Sequence, residues 1–152
     1  MDAPTVCTIG YEGTSMGDFL DALRAAKVEL LVDVRAVTSS RRPGFSKTRL
    51  AATLDEAGIG YLHLRGLGTP AEGRAAARSG RHAEMRRIFG AHMKEPQARE
   101  DLATLLGIVR SGRRVCLLCF EADAAHCHRA IVADSIQAAT GARIDHLAPE
   151  QE

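Results

Sequence analysis

Residues Val115–Arg129 read VCLLCFEADAAHCHR. The run Val115 to Leu118 is wholly apolar and reads as a strand. It ends in Cys119, Phe120 and Glu121 and passes through a turn-like stretch. A helix then opens near Ala125 and carries Cys127, His128 and Arg129 in its first turns. Val132, Ile136 and Ala139 recur on one face of that helix, and Gly141 stops it. Strand, turn and helix make one step of an α/β layer, where ligands bind at the strand end and the helix start. Two thiols, a carboxylate, an imidazole and a guanidinium fall within that one junction.

The same alternation extends outward to both ends of the chain. Val6 to Gly10, VCTIG, predicts a first buried strand, followed by a GYEG loop. Ser15 with Asp18 forms a capping box for a helix whose inner face is Phe19, Leu20, Leu23 and Ala26. Glu29 to Val34 predicts a second strand, which makes a βαβ unit with a right-handed crossover. Arg35 to Lys47 is a long basic loop with a Pro-Gly turn signal. Leu50, Leu54 and Ala57 mark a helix that Gly58 ends, and Gly60 to Leu64 reads as a third strand. Leu67 to Pro70 breaks the pattern. In residues 71–95, Met85, Ile88, Phe89 and His92 predict an amphipathic helix, separated by Gly80 from what precedes it. Arg99 to Arg110 is a clearer helix ended by Ser111-Gly112. Arg114 to Phe120 is the fourth strand, and Arg143 to Leu147 a short last one. With no repeat and no linker, residues 1–152 read as a single α/β domain. Its predicted core is an open, mostly parallel sheet of four or five strands with helices on both faces, in Rossmann-like layers.

The 152 residues suffice for a hydrophobic core. A formal net charge of +1 argues against a wholesale polyanion binder but leaves local basic clusters open. No apolar run approaches the length of a membrane span, and MDAPTVCTIG lacks the features of a secretory signal. A cytoplasmic location is therefore expected, with no membrane partner and with Cys7, Cys116, Cys119 and Cys127 reduced.

Parallel strands deliver their ends to one rim. There the first strand brings Tyr11 and Glu12. The second brings Asp33, Arg35 and the loop with Ser40 and Arg41, the third His63, and the fourth Cys119 and Glu121, with His128 and Arg129 following. Three chemistries fit. Arg35, Arg41 and Arg129 could clamp an anion at a helix N-terminus, with Tyr11, Glu12, Ser40 and His128 around it. Cys119 or Cys127 could act as a nucleophile with His63 or His128 as base, and the combined reading takes Cys119 with Glu121, Asp33 and His63 as acid/base groups. Cys119, Cys127 and His128, with Glu121 or His63, could ligate a metal. The last spacing is not that of a zinc finger, and adjacent Cys127 and His128 are awkward partners on one ion, so no metal ligand is assigned. Plain readings compete at each position: Asp33 pairing with Arg35, His63 satisfied in the core, Glu12 as a cap, Cys119 as an inert small hydrophobe. GYEGTSMG lacks the spacing of a nucleotide-binding loop, so no cofactor is identified, and neither is an oligomeric state.

The segments TIGYEG at Thr8 to Gly13, LVDVRAVTSSRRPGFSK at Leu31 to Lys47, GIGYLHLRGLG at Gly58 to Gly68 and LLCFEADAAHCHR at Leu117 to Arg129 resemble the family catalogued as domain of unknown function 488. Where that pattern has Pro before the Ser-Arg pair, this chain has Thr38. The resemblance implies a compact α/β domain. It places the family's motif positions on Tyr11, Asp33, Arg35, Ser40, Arg41, Phe45, Tyr61, His63, Cys119, Glu121, Cys127, His128 and Arg129, and it brings no established reaction. The reading that combines these points is an enzyme acting on a small anionic, phosphate-bearing substrate, a nucleotide or nucleic-acid component among the candidates. A non-catalytic module binding nucleic acid or metal at the same rim is the alternative. An aromatic content of 4% with no Trp favours a closed pocket over an open stacking surface.

Overall fold

The computed structural model describes residues 3–151. In chain order the elements are β1 (Thr5–Gly10), α1 (Met16–Ala25), β2 (Leu30–Asp33), α2 (Lys47–Glu56), β3 (Gly60–His63), α3 (Ala71–Arg78), α4 (His82–His92), α5 (Pro96–Arg110), β4 (Val115–Cys119), α6 (His128–Thr140) and β5 (Arg143–His146). Short 3-10 turns occur at Arg65–Leu67 and Ala124–His126. All five strands are parallel, in the spatial order β3-β2-β4-β1-β5. The α/β expectation holds.

Side chains alternate across a strand, so each strand feeds two cores. Cys7, Ile9, Leu31, Cys116 and Leu118 pack against Phe19 and Leu23 of α1 and Leu50 and Leu54 of α2. Val6, Val32, Leu117 and Cys119 pack on the other face against Phe89, Leu105, Val132 and Ile136 from α4, α5 and α6. Every residue of β2 and β4 is buried, which explains their unbroken apolar runs. β5 is the contrary case. It closes one edge of the sheet and is largely exposed, with Arg143, Asp145 and His146 on it, charged or polar groups that discourage further strand pairing.

This order positions the site. β1 and β2 each lead into a helix on the first face, whereas β4 leads into α6 on the second. At the C-terminal end of β4 the chain therefore departs opposite to its neighbours on both sides and opens a crevice there.

Strand limits differ from the sequence reading by about one residue, and the helices differ more. Residues 71–95 form two helices, α3 as well as α4. Helix α5 starts at Pro96, whose fixed φ suits a first turn, where its missing N–H is no loss. Helix α6 starts at His128 rather than near Ala125. Residues 124–126 instead make the 3-10 turn, with the Asp123 side chain accepting from the Ala125 N–H at 2.9 Å. Cys127 is extended at φ −125° and caps α6, its sulfur accepting from the Arg129 N–H at 3.5 Å.

Candidate functional site

The second strand ends in a buried ionic knot. Arg35 donates from Nε to Asp33 Oδ1 at 2.9 Å and from Nη2 to Oδ2 at 2.7 Å. The Arg35 N–H and the Tyr61 hydroxyl also donate to that carboxylate, at 3.1 and 2.5 Å. Arg35 Nη1 reaches the Tyr11 oxygen at 3.2 Å and the Phe45 carbonyl at 2.8 Å, with the guanidinium 5.4 Å from the Tyr11 ring centroid. Burial alone would lower the Arg35 pKa, but the Asp33 hydrogen bonds and charge hold it well above its ordinary value. Tyr61 is raised by burial and by its bond to the same carboxylate. Asp33 is fully buried and so fully engaged that its part is to orient Arg35.

The fourth strand delivers the sulfur side. Cys119 and Cys127 are joined as a disulfide with Cα atoms 7.4 Å apart, while Cys7 and Cys116 are free and buried. This departs from the expectation of four reduced cysteines. The strand end and the helix cap aim both sulfurs at one point. The Glu121 carboxylate stands 3.4 Å from the Cys119 sulfur, and burial pushes its pKa up. His128 is also buried. Its Nε2 donates to the Val34 carbonyl at 2.8 Å, and its ring meets Phe89 edge-on. Burial lowers its pKa to about 4, so it is neutral at pH 7.

Arg129 lies wholly inside the protein. Nε donates to Thr8 Oγ1 at 3.1 Å, Nη2 to the Ala122 carbonyl at 3.1 Å, and Nη1 to the Glu121 carbonyl and toward the Cys119 sulfur. Burial lowers its pKa, against the raising effect of the Glu121 charge. Its donors thus pin the chain that leaves β4. Gly10 is required at the same point, since a Cβ there would stand 1.7 Å from the Glu121 carbonyl oxygen.

A cavity of about 300 Å³ opens at this rim. Of the residues singled out from sequence, Tyr11, Arg35, Cys119, Glu121 and His128 line it. The others do not. Asp33 and Arg129 are fully buried and do not border it. His63 Nε2 donates to the Arg35 carbonyl at 2.8 Å, and the exposed Glu12 accepts from the Ala122 N–H at 3.0 Å. Ser40 Oγ accepts from the Arg42 N–H at 3.1 Å, so it organises the basic loop, and Arg41 is exposed on that loop away from the cavity. Arg74 and Arg78 of α3 and His126 of the 3-10 turn also line it, and sequence reasoning missed them. Arg74 donates to the Thr69 carbonyl at 2.8 Å, and Arg78 is exposed. Their spacing of four residues puts them on one helical face, a signal that was readable once α3 was recognised as a helix.

A family model described as domain of unknown function DUF488 matches residues 15–136. No curated protein and no solved structure matches the chain.

Proposed function

Starting from the fact that the chain belongs to the DUF488 family of unknown function, we propose that it binds and acts on a small phosphate-bearing or otherwise anionic molecule in the cavity beside β4. A nucleotide or nucleic-acid component is the leading class of substrate. The observation that carries this reading is the convergence of Arg35, Arg74 and Arg78 with two histidines on one cavity of about 300 Å³. That volume suits a small molecule rather than a strand of nucleic acid. Arg35 is already oriented by Asp33, so its position costs little to organise on binding. Arg74 and Arg78 of α3 line the same cavity and offer it charge-assisted donors. Glu121, whose carboxyl keeps its proton more readily than an exposed one, is the proton-transfer group within reach of a bound ligand.

Calorimetric titration of inorganic phosphate and nucleoside monophosphates tests the reading. The wild type is expected to bind saturably. Because Arg78 is exposed, Arg78→Ala should leave the fold intact and weaken binding about tenfold, which corresponds to the loss of a charged contact of roughly 1.4 kcal/mol. Absence of saturable binding to the wild type, or equal affinity in the variant, rejects the anion site.

A further inference from the structure

We infer that in the reduced protein Cys119, Cys127 and His128 hold one thiophilic metal ion, zinc being the chemical type, with its open coordination position facing the cavity. The inference stands on the donor geometry and does not depend on the anion reading.

The three donor atoms all lie within 4.8 Å of one another, and Cys127 Sγ is 3.7 Å from His128 Nδ1. On one tetrahedral zinc a sulfur and a nitrogen stand about 3.5–3.6 Å apart and two sulfurs about 3.8 Å, given Zn–S of about 2.3 Å and Zn–N of about 2.0–2.1 Å. Adjacent residues ordinarily diverge too far to share an ion. Here Cys127 is the extended cap and His128 the first helical residue, and the bend between them turns both side chains to the same point.

A second observation concerns the imidazole. Its Nε2 faces the Val34 carbonyl, which can only accept, so the ring hydrogen sits on Nε2. Nδ1 then presents a lone pair toward the sulfurs. A ring whose far nitrogen is anchored on a backbone carbonyl is the usual support of a metal-binding histidine. The backbone spacing gives a third. The Cα atoms of Cys119 and Cys127 are 7.4 Å apart, whereas disulfides usually span about 4.4–6.8 Å. Two thiolates on one ion need sulfurs about 3.8 Å apart, and the wide backbone suits that state.

Disulfide and metal are alternatives for the same two sulfurs. A dithiol or phosphine reductant supplies two electrons to open the disulfide, which takes up two protons as the thiols form. Metal binding then releases both thiol protons. Cys119 and His128 border the cavity, which gives the ion an entry path, and Glu121 beside Cys119 flanks the fourth position. Three protein donors with one open site is the arrangement of catalytic rather than structural zinc.

Cobalt(II) titration of untagged protein provides the test, with tetrahedral d–d bands and thiolate charge-transfer absorption as the readout. The phosphine-reduced wild type is expected to take up one equivalent with both signatures, and the oxidised wild type none. Cys127→Ser and His128→Gln should each weaken uptake by more than about 100-fold, beyond the loss typical of an outer-shell change. Cys7→Ala should leave it unchanged. No uptake by reduced protein, equal uptake by oxidised protein, or spectra lacking the thiolate band overturns the inference. Because the oxidised and reduced wild types are compared directly, the test does not depend on the variants folding.

Discussion

At the scale of the residue, the protein keeps two titratable groups inside for opposite reasons. Arg129 remains a cation and binds backbone carbonyls, whereas His128 gives up its charge. Burial lowers the His128 pKa from 6.5 to about 4, the Val34 hydrogen bond opposing this and the Arg129 charge adding to it. Its contribution to stability is therefore complete above pH 6.5. As the pH falls from about 6.5 toward 4, the unfolded chain takes up a proton that the folded one refuses, and stability drops by about 1.4 kcal/mol per pH unit. Urea unfolding of the metal-free protein across that range should give a steeper acid-side decline for wild type than for His128→Gln. Coincident slopes would remove His128 from the account. The Asp33–Arg35 pair illustrates what a sequence can and cannot convey at this scale. Both residues were identifiable as rim residues from their place at a strand end. Which of them met a ligand was not, because that depends on Tyr61 and the Phe45 carbonyl closing around Asp33 and Arg35 from segments distant in sequence. The surroundings of Arg129 were hidden for the same reason: its position in a helix's first turn was readable, but not the two carbonyls folded over it.

At the scale of the element, the site depends on how the chain leaves β4. The backbone after Cys119 crosses the end of β1, with the Tyr11 and Glu12 N–H groups donating to the Cys119 and Phe120 carbonyls at 3.3 and 2.8 Å. Gly10 lies directly under this crossing. Gly10→Ala would drive a methyl group into the Glu121 carbonyl, and the overpacking should cost about 1–3 kcal/mol. A thermal melt should show a loss of about 2–4 °C for each kcal/mol in a chain of this size. An unchanged melting temperature would mean that the crossing can shift aside freely. Strands were legible because β2 and β4 are buried on both faces and so read as unbroken apolar runs. Helix α3 was not, because its inward positions are Gly73 and Ala76, residues too small to mark a hydrophobic face. The two cavity arginines on α3 were missed with it. The start of α6 was displaced because a cysteine, seldom expected as a cap, closes the helix where a serine or aspartate would have announced it.

At the scale of the whole molecule, the order β3-β2-β4-β1-β5 makes the latest-arriving inner strand the keystone. Strands β1 and β2 never pair with each other, and both pair with β4. A chain ended at Arg113 should therefore show no cooperative unfolding transition by circular dichroism, although it retains three of the strands and five of the helices. A sharp transition in that fragment would show that the first βαβαβ segment closes without its centre. The same arrangement bears on how the protein is made. A ribosome adds about 5–20 residues per second, so several seconds separate the emergence of Asp33 from that of Cys119. Through that interval the newborn chain carries two apolar strands with open edges and nothing of its own to lay between them. Such a chain is a natural client for a holding chaperone, and its yield in a cell should depend on escort during synthesis more than on the stability of the finished fold.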